Sequence, residues 1–190
     1  MKAFLDPPAK IPWYLRLGIW FADRATGKAM LLARLLAWYP KAALGSGVME
    51  ALVAHKDSEV SPRLLKLTRL QASYAPGCAF CVDMNAFGSS EAGVTDQEVK
   101  AIAQGLPLEG VASFSAQERV ALEYARLISA TPLRFPPDFV ARLHGAFTPR
   151  QIVILASTAA QVNYWARLSQ SLGVPPAGFS PECELPRNTP

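Results

Sequence analysis

The sequence predicts an all-α protein, a single compact multi-helix domain. Three observations carry that expectation. Apolar residues recur at helical spacing, while no run of strand-type alternation and no Asn-Gly or Asp-Gly hairpin turn is present. "TDQE" (Thr95 to Glu98), "SAQE" (Ser115 to Glu118) and "TPRQ" (Thr148 to Gln151) are capping boxes, in which a Ser or Thr oxygen and a Glu or Gln side chain satisfy the open N–H groups of a new helix. Hydrophobic residues make up 51% of 190, enough for one sizeable core.

The elements follow in order. Residues 1–11 read as an irregular arm, 12–174 as a helical core and 175–190 as a Pro-rich tail, all within one domain, 1–190. From Pro12 to about Ala43 the pattern is helical, with a break near Thr26-Gly27 and apolar positions at Leu31, Leu32, Leu35, Leu36 and Trp38. Gly45 and Gly47 read as a turn or helix end, with "VMEALVAHK" continuing as helix. Ser61-Pro62 opens the next helix, whose stripe is Leu67, Leu70 and Tyr74 and whose stop is Pro76-Gly77. A new helix then begins at or near Cys78. The capping boxes start further ones, and the last runs to about Leu172 and ends at Gly173. Seven or eight helices are expected, with no internal repeat.

Charge and composition narrow the function. The net charge is +4, but Lys and Arg are scattered and never interleave with aromatics as a nucleic-acid surface does. The N-terminus "MKAFLDPPAKIPWYL" has no secretory h-region. The longest uncharged stretch, Gln151 to Ala166, is too short and too polar to span a bilayer. We therefore expect a cytoplasmic protein without nucleic-acid or membrane partners. The Trp-, Tyr- and Leu-rich segment Ile11 to Pro40 reads as core cover or a subunit contact in preference to a helix lying on a membrane surface.

In a reducing compartment, the pair Cys78 and Cys81 in "YAPGCAFCVDMNAFG" suits redox catalysis or metal binding better than a structural staple. If Cys78 starts a helix, Cys78, Cys81 and Asn85 share one face, and Asp83 and Met84 point away from it. Sulfurs at i and i+3 can close a disulfide. A thiolate at a helix start is stabilised by the open N–H groups and the helix dipole, which lowers its pKa. Two other readings stay open: a buried apolar pair, and half of a zinc site, for which only Cys183, His55 and His144 remain as further soft ligands. Cys183 has no assigned role. No organic cofactor or metal is implied.

The stretch "RLLKLTRLQASYAPGCAFCVDMNAFGSSEAGVTDQEVKAI", with "FSAQERVALEYARLISATP" and "VNYWARLSQSLGVP" later, resembles the alkylhydroperoxidase D-like, or carboxymuconolactone decarboxylase-like, family, over roughly Ser61 to Pro175. The resemblance implies an all-α homo-oligomer acting as a thiol-disulfide oxidoreductase. Cys78 and Cys81 would be the catalytic dithiol, with a peroxide or disulfide as substrate and a thiol protein or small thiol as donor. The chain departs from the family pattern at two positions. The family's relay His falls at Asn85, and its relay Glu, twelve positions before the first Cys, falls at Lys66. Lys66 would then favour a thiolate by charge attraction, and Asn85 would donate to a sulfur or a substrate oxygen. The alternative is a non-catalytic or redox-sensing binding protein on the same fold.

Overall fold

The computed structural model describes residues 2–53 and 56–180. His55 and Cys183 lie outside the described residues. The expected fold class is borne out: the described residues form helices and connecting turns only. They are α1 (Trp13–Thr26), α2 (Leu31–Leu35), a 3-10 turn (Leu36–Trp38), α3 (Pro40–Leu52), α4 (Pro62–Tyr74), α5 (Ala79–Ala86), α6 (Asp96–Ala103), a second 3-10 turn (Leu108–Gly110), α7 (Ala116–Ser129), α8 (Pro137–Ala146) and α9 (Pro149–Ser171).

Helix α4 is the hub. It packs against α5, α6, α7 and α9, and Leu67 and Leu70 on its apolar stripe are completely buried. Ser61 caps it, its Oγ accepting from Leu64 N at 3.1 Å. All three predicted capping boxes form, and they start α6, α7 and α9. Two of their acids serve twice. Arg63, in the first turn of α4, donates to Glu98 at 2.7 and 3.0 Å and to Glu118 at 2.6 Å, so one guanidinium ties three helix starts together. Burial works against the Glu98 charge, but Arg63 and the Thr95 N–H hold its pKa down to about 2.

The N-terminal part corrects one expectation. Gly45 and Gly47 neither turn the chain nor end a helix, because α3 runs through both. Ser46, buried between them, donates to Ala42 O at 2.6 Å and pairs with the Tyr164 hydroxyl of α9 at 2.8 Å. That tertiary bond and Pro40 in the first turn outweigh a propensity cost of about 1 kcal/mol per glycine. The break near Gly27 is real: Gly27 takes φ +71° and closes α1. Asp23 then fixes the elbow into α2 by accepting Met30 N at 2.7 Å and pairing with Arg34 at 2.6 Å.

Across this elbow, Met30, Leu32, Leu35 and Leu36 pack with Phe80, Ala166, Val174 and the two cysteines in one apolar cluster. The arm is held down at two points: Phe4 N donates to Leu172 O at 3.0 Å, and Trp38 Nε1 donates to Asp6 O at 2.9 Å. No helix among the described residues is long and apolar enough to cross a membrane.

Candidate active site

The Cys-x-x-Cys motif begins with the turn that leaves α4. Gly77 takes φ +64°, a conformation that a side chain resists, and its N–H bonds Tyr74 O at 3.0 Å. The reversal places Cys78 as the N-cap of α5 in an extended conformation, its N–H on Ser73 O at 3.3 Å. Its Sγ does what a serine oxygen does at other helix starts: it accepts the Cys81 N–H, at 3.1 Å. Cys81 therefore stands at the third helical position, and its sulfur closes a disulfide with Cys78 across a Cα separation of 5.2 Å.

Both sulfurs are enclosed. Cys78 is 0% and Cys81 3% exposed. One polar group that the sequence reading missed reaches them. Ser169 of α9, itself fully buried, puts its Oγ 3.3 Å from Cys78 Sγ and 3.9 Å from Cys81 Sγ. Its other contact is Ala166 O at 3.3 Å. The only sequence signal for it was the family-like stretch "VNYWARLSQSLGVP", and nothing in that stretch set this serine apart from Ser171.

Asn85 and Lys66 lie beside the motif and contact neither sulfur. The Asn85 amide donates to Ser73 Oγ at 3.0 Å and to Cys81 O at 2.9 Å, fastening α5 to α4. Lys66 Nζ donates to Asn85 O at 3.1 Å and Phe87 O at 2.7 Å, so the ammonium sits on the open carbonyls and negative dipole end of α5. Burial, then repulsion from Arg69, lowers the Lys66 pKa, with Glu91 opposing. Arg69, one turn on, is lowered by burial and donates to Gln161 at 3.0 Å. Lys66, Arg69 and Asn85 line one pocket of about 260 Å³ with Pro62, Leu65 and Ala92.

On the far side, Asp83 anchors the strap of residues 175–180 to α5. Its buried carboxylate accepts three backbone N–H bonds, from Ala177 at 2.7 Å, Gly178 at 2.8 Å and Ser180 at 2.7 Å. Lys28 clamps the same strap, donating to Ala177 O at 3.0 Å and to Gly178 O. Phe179 meets Phe87 with 5.8 Å between ring centroids. His144 is exposed in the last turn of α8. No group of three potential metal ligands is found among the described residues.

Comparison with known proteins agrees with this architecture. The model of the carboxymuconolactone decarboxylase family matches residues 43–126. The uncharacterized protein YnjA of Escherichia coli (strain K12) is 27% identical over 184 residues, covering 96% of this chain and 97% of YnjA. Among solved structures, an alkylhydroperoxidase AhpD core, an uncharacterized peroxidase-related protein from Ralstonia eutropha JMP134, superposes with a TM-score of 0.76 at 16% identity, covering 92% of each chain. The apo form of the debrominase Bmp8 gives a TM-score of 0.75 at 15% identity, covering 93% of this chain and 94% of that one. The family resemblance read from the sequence is borne out, and the chain has the AhpD-like fold.

Proposed function

We propose that the protein is a dithiol peroxidase of the alkylhydroperoxidase type, with Cys78 and Cys81 as its redox pair. The observation that carries the reading is the sulfur geometry. Two cysteines at a helix start are within bonding reach, with the Cys81 N–H at 3.1 Å and the Ser169 hydroxyl at 3.3 Å from Cys78 Sγ. In the reduced pair both groups donate to a thiolate and favour the charged, nucleophilic form. The thiolate attacks the terminal oxygen of a hydroperoxide; the O–O bond breaks, an alcohol leaves with the solvent proton, and the sulfur becomes a sulfenic acid. The second thiol displaces water from that sulfur and forms the disulfide. A dithiol donor returns two electrons and two protons. The reading includes a cytoplasmic location, where such donors occur, and a homo-oligomeric assembly.

In the test, the fully reduced protein is treated with cumene hydroperoxide and its free thiols are counted. Loss of two of the three thiols per chain is expected, with sustained hydroperoxide consumption when a dithiol donor is supplied. In Cys78→Ser and Cys81→Ser no intramolecular disulfide forms, and dimedone labels the sulfur that attacks. Retention of all three thiols in the wild type would falsify the redox assignment.

A second reading is a redox-sensing binding protein. It is favoured by the enclosure of both sulfurs and by the absence of a titrating relay at Lys66 and Asn85. It is distinguished by stoichiometric oxidation without turnover under any dithiol donor.

A further inference from the structure

The two sulfurs are both enclosed, but their polar surroundings are unequal. Cys78 Sγ faces two donors, the Cys81 N–H at 3.1 Å and the Ser169 hydroxyl at 3.3 Å. As the N-cap, Cys78 also precedes the open N–H groups of the first turn of α5, where negative charge is favoured. At Cys81 Sγ the polar neighbour among the described residues is the same Ser169 hydroxyl, at 3.9 Å. The Cys81 N–H is spent on Cys78. Asn85, one turn on, spends its amide on Ser73 Oγ and Cys81 O. A hydroxyl donates one hydrogen bond and accepts two. While Ser169 donates to Cys78, its oxygen is able to take the S–H of Cys81. All these groups therefore fit one charge state, with a thiolate at Cys78 and a thiol at Cys81. The reverse state puts the charge on the sulfur with one long contact and turns the short N–H bond towards a neutral thiol. Exposure does not separate the two, at 0% and 3%, and burial resists ionisation of both.

We infer that Cys78 is the sulfur that attacks the hydroperoxide and that Cys81 is the one that resolves it. The assignment rests on the dithiol reading and orders its steps. The Cys78 thiolate takes the terminal oxygen, the O–O bond breaks, and the alkoxide leaves with a solvent proton as an alcohol. Cys78, oxidised by two electrons, is then a sulfenic acid. Cys81 Sγ attacks that sulfur, the S–O bond breaks and the S–S bond forms. The hydroxide departs with the Cys81 proton as water, and the Ser169 hydroxyl, in reach of both sulfurs, lies beside that transfer.

Two proteins are compared in a Cys183→Ser background. Cys81→Ala leaves Cys78 and adds no hydroxyl beside it; Cys78→Ser leaves Cys81 and keeps an N-cap oxygen. Thiolate absorbance should place the Cys78 midpoint at least about one pH unit below that of Cys81. At a pH below both midpoints, dimedone should trap the sulfenic acid formed by cumene hydroperoxide at least about threefold faster on Cys78, since a lower pKa gains thiolate but loses part of its nucleophilicity. The reduced wild type supplies a check free of substitutions: limiting iodoacetamide at the same pH should place its adduct chiefly on Cys78, located by peptide fragmentation. A midpoint at Cys81 equal to or below that of Cys78 overturns the assignment, as does trapping at Cys81 that is as fast or faster, or an adduct chiefly on Cys81. Thiol counting in the wild type decides the dithiol reading separately. Loss of two thiols with the label on Cys81 would remove the assignment and keep that reading.

Discussion

Ser169 is the polar side chain that reaches both sulfurs. A buried sulfur resists ionisation, because an anion in an apolar cluster loses its water. Among the described residues, two donors stand against that cost at Cys78 Sγ, the Cys81 N–H and the Ser169 hydroxyl. The backbone donor cannot be removed by substitution, but the hydroxyl can. A hydrogen bond to a charged group is worth about 1.5–3 kcal/mol, and one pKa unit corresponds to about 1.4 kcal/mol. Ser169→Ala should therefore raise the thiol pKa of the reduced protein by about one to two units, read from thiolate absorbance in a Cys183→Ser background. Ser171→Ala, which removes an exposed hydroxyl bonded to Leu168 O, should leave the titration where it was. An unshifted midpoint in Ser169→Ala would mean that the hydroxyl spends its proton on Ala166 O. At this scale the sequence was half legible. The spacing of Cys78 and Cys81 was enough to expect a sulfur pair at a helix start, since i and i+3 on a helix meet whatever surrounds them. Ser169 arrives from 91 residues away, and no local pattern marks such a contact. Lys66 and Asn85 were found by position in a motif, but their partners are backbone carbonyls and a serine.

At the scale of elements, helix α5 is held from both sides. Lys66 covers its C-terminal carbonyls from α4, and Asp83 fastens the strap of residues 175–180 to its opposite flank. The strap packs Ala177 and Phe179 against the cluster that encloses the sulfurs. Any oxidant or thiol donor must reach sulfurs that are 0% and 3% exposed, so some covering piece has to open. Two charged side chains hold the strap, Lys28 and its anchor on α5 itself, Asp83. Replacing that anchor forfeits charge-assisted bonds worth about 1.5–3 kcal/mol, and each 1.4 kcal/mol changes an opening equilibrium about tenfold. Asp83→Asn should therefore speed alkylation of the reduced Cys78 and Cys81 by iodoacetamide at least about tenfold, measured in a Cys183→Ser background at fixed pH. Equal rates would show that release of the strap from Asp83 does not govern access to the sulfurs. Element boundaries were legible wherever a side chain closes a local ring of hydrogen bonds, as at Thr95, Ser115 and Thr148. They were not legible at Gly45 and Gly47, where the helix is kept by Ser46 reaching Tyr164, 118 residues on.

For the molecule as a whole, the feature left without a partner is an apolar face. On α1, Trp13, Leu17, Trp20 and Phe21 are exposed at helical spacing, Trp13 at 76%. On α3, which packs against α1, Leu44, Val48 and Leu52 form a second exposed stripe, with Leu52 at 80%. Trp13, Trp20, Phe21 and Trp38 are each more than half exposed. With 150–250 Å² per aromatic side chain, they alone present on the order of 500 Å², near the upper end of what monomeric proteins leave open. The aliphatic residues of α3 extend that area towards the roughly 800 Å² that each partner contributes to a stable complex. Aromatic residues with few acids are the composition of an interface centre. A second copy of the chain is the occupant we propose, because it presents the same pair of stripes and closes by two-fold symmetry without any new surface. Sedimentation velocity at tens of micromolar should show an assembly of at least two chains. The double variant Trp20→Glu/Val48→Glu places a charge in each stripe and should run as a monomer with an unchanged helical circular dichroism spectrum, since both side chains point to solvent in the single chain. A wild-type protein that sediments as a monomer would remove the second copy. Binding of that monomer to vesicles would then assign the face to a lipid surface, which an amphipathic helix carrying Trp, Phe and Leu on one side also fits.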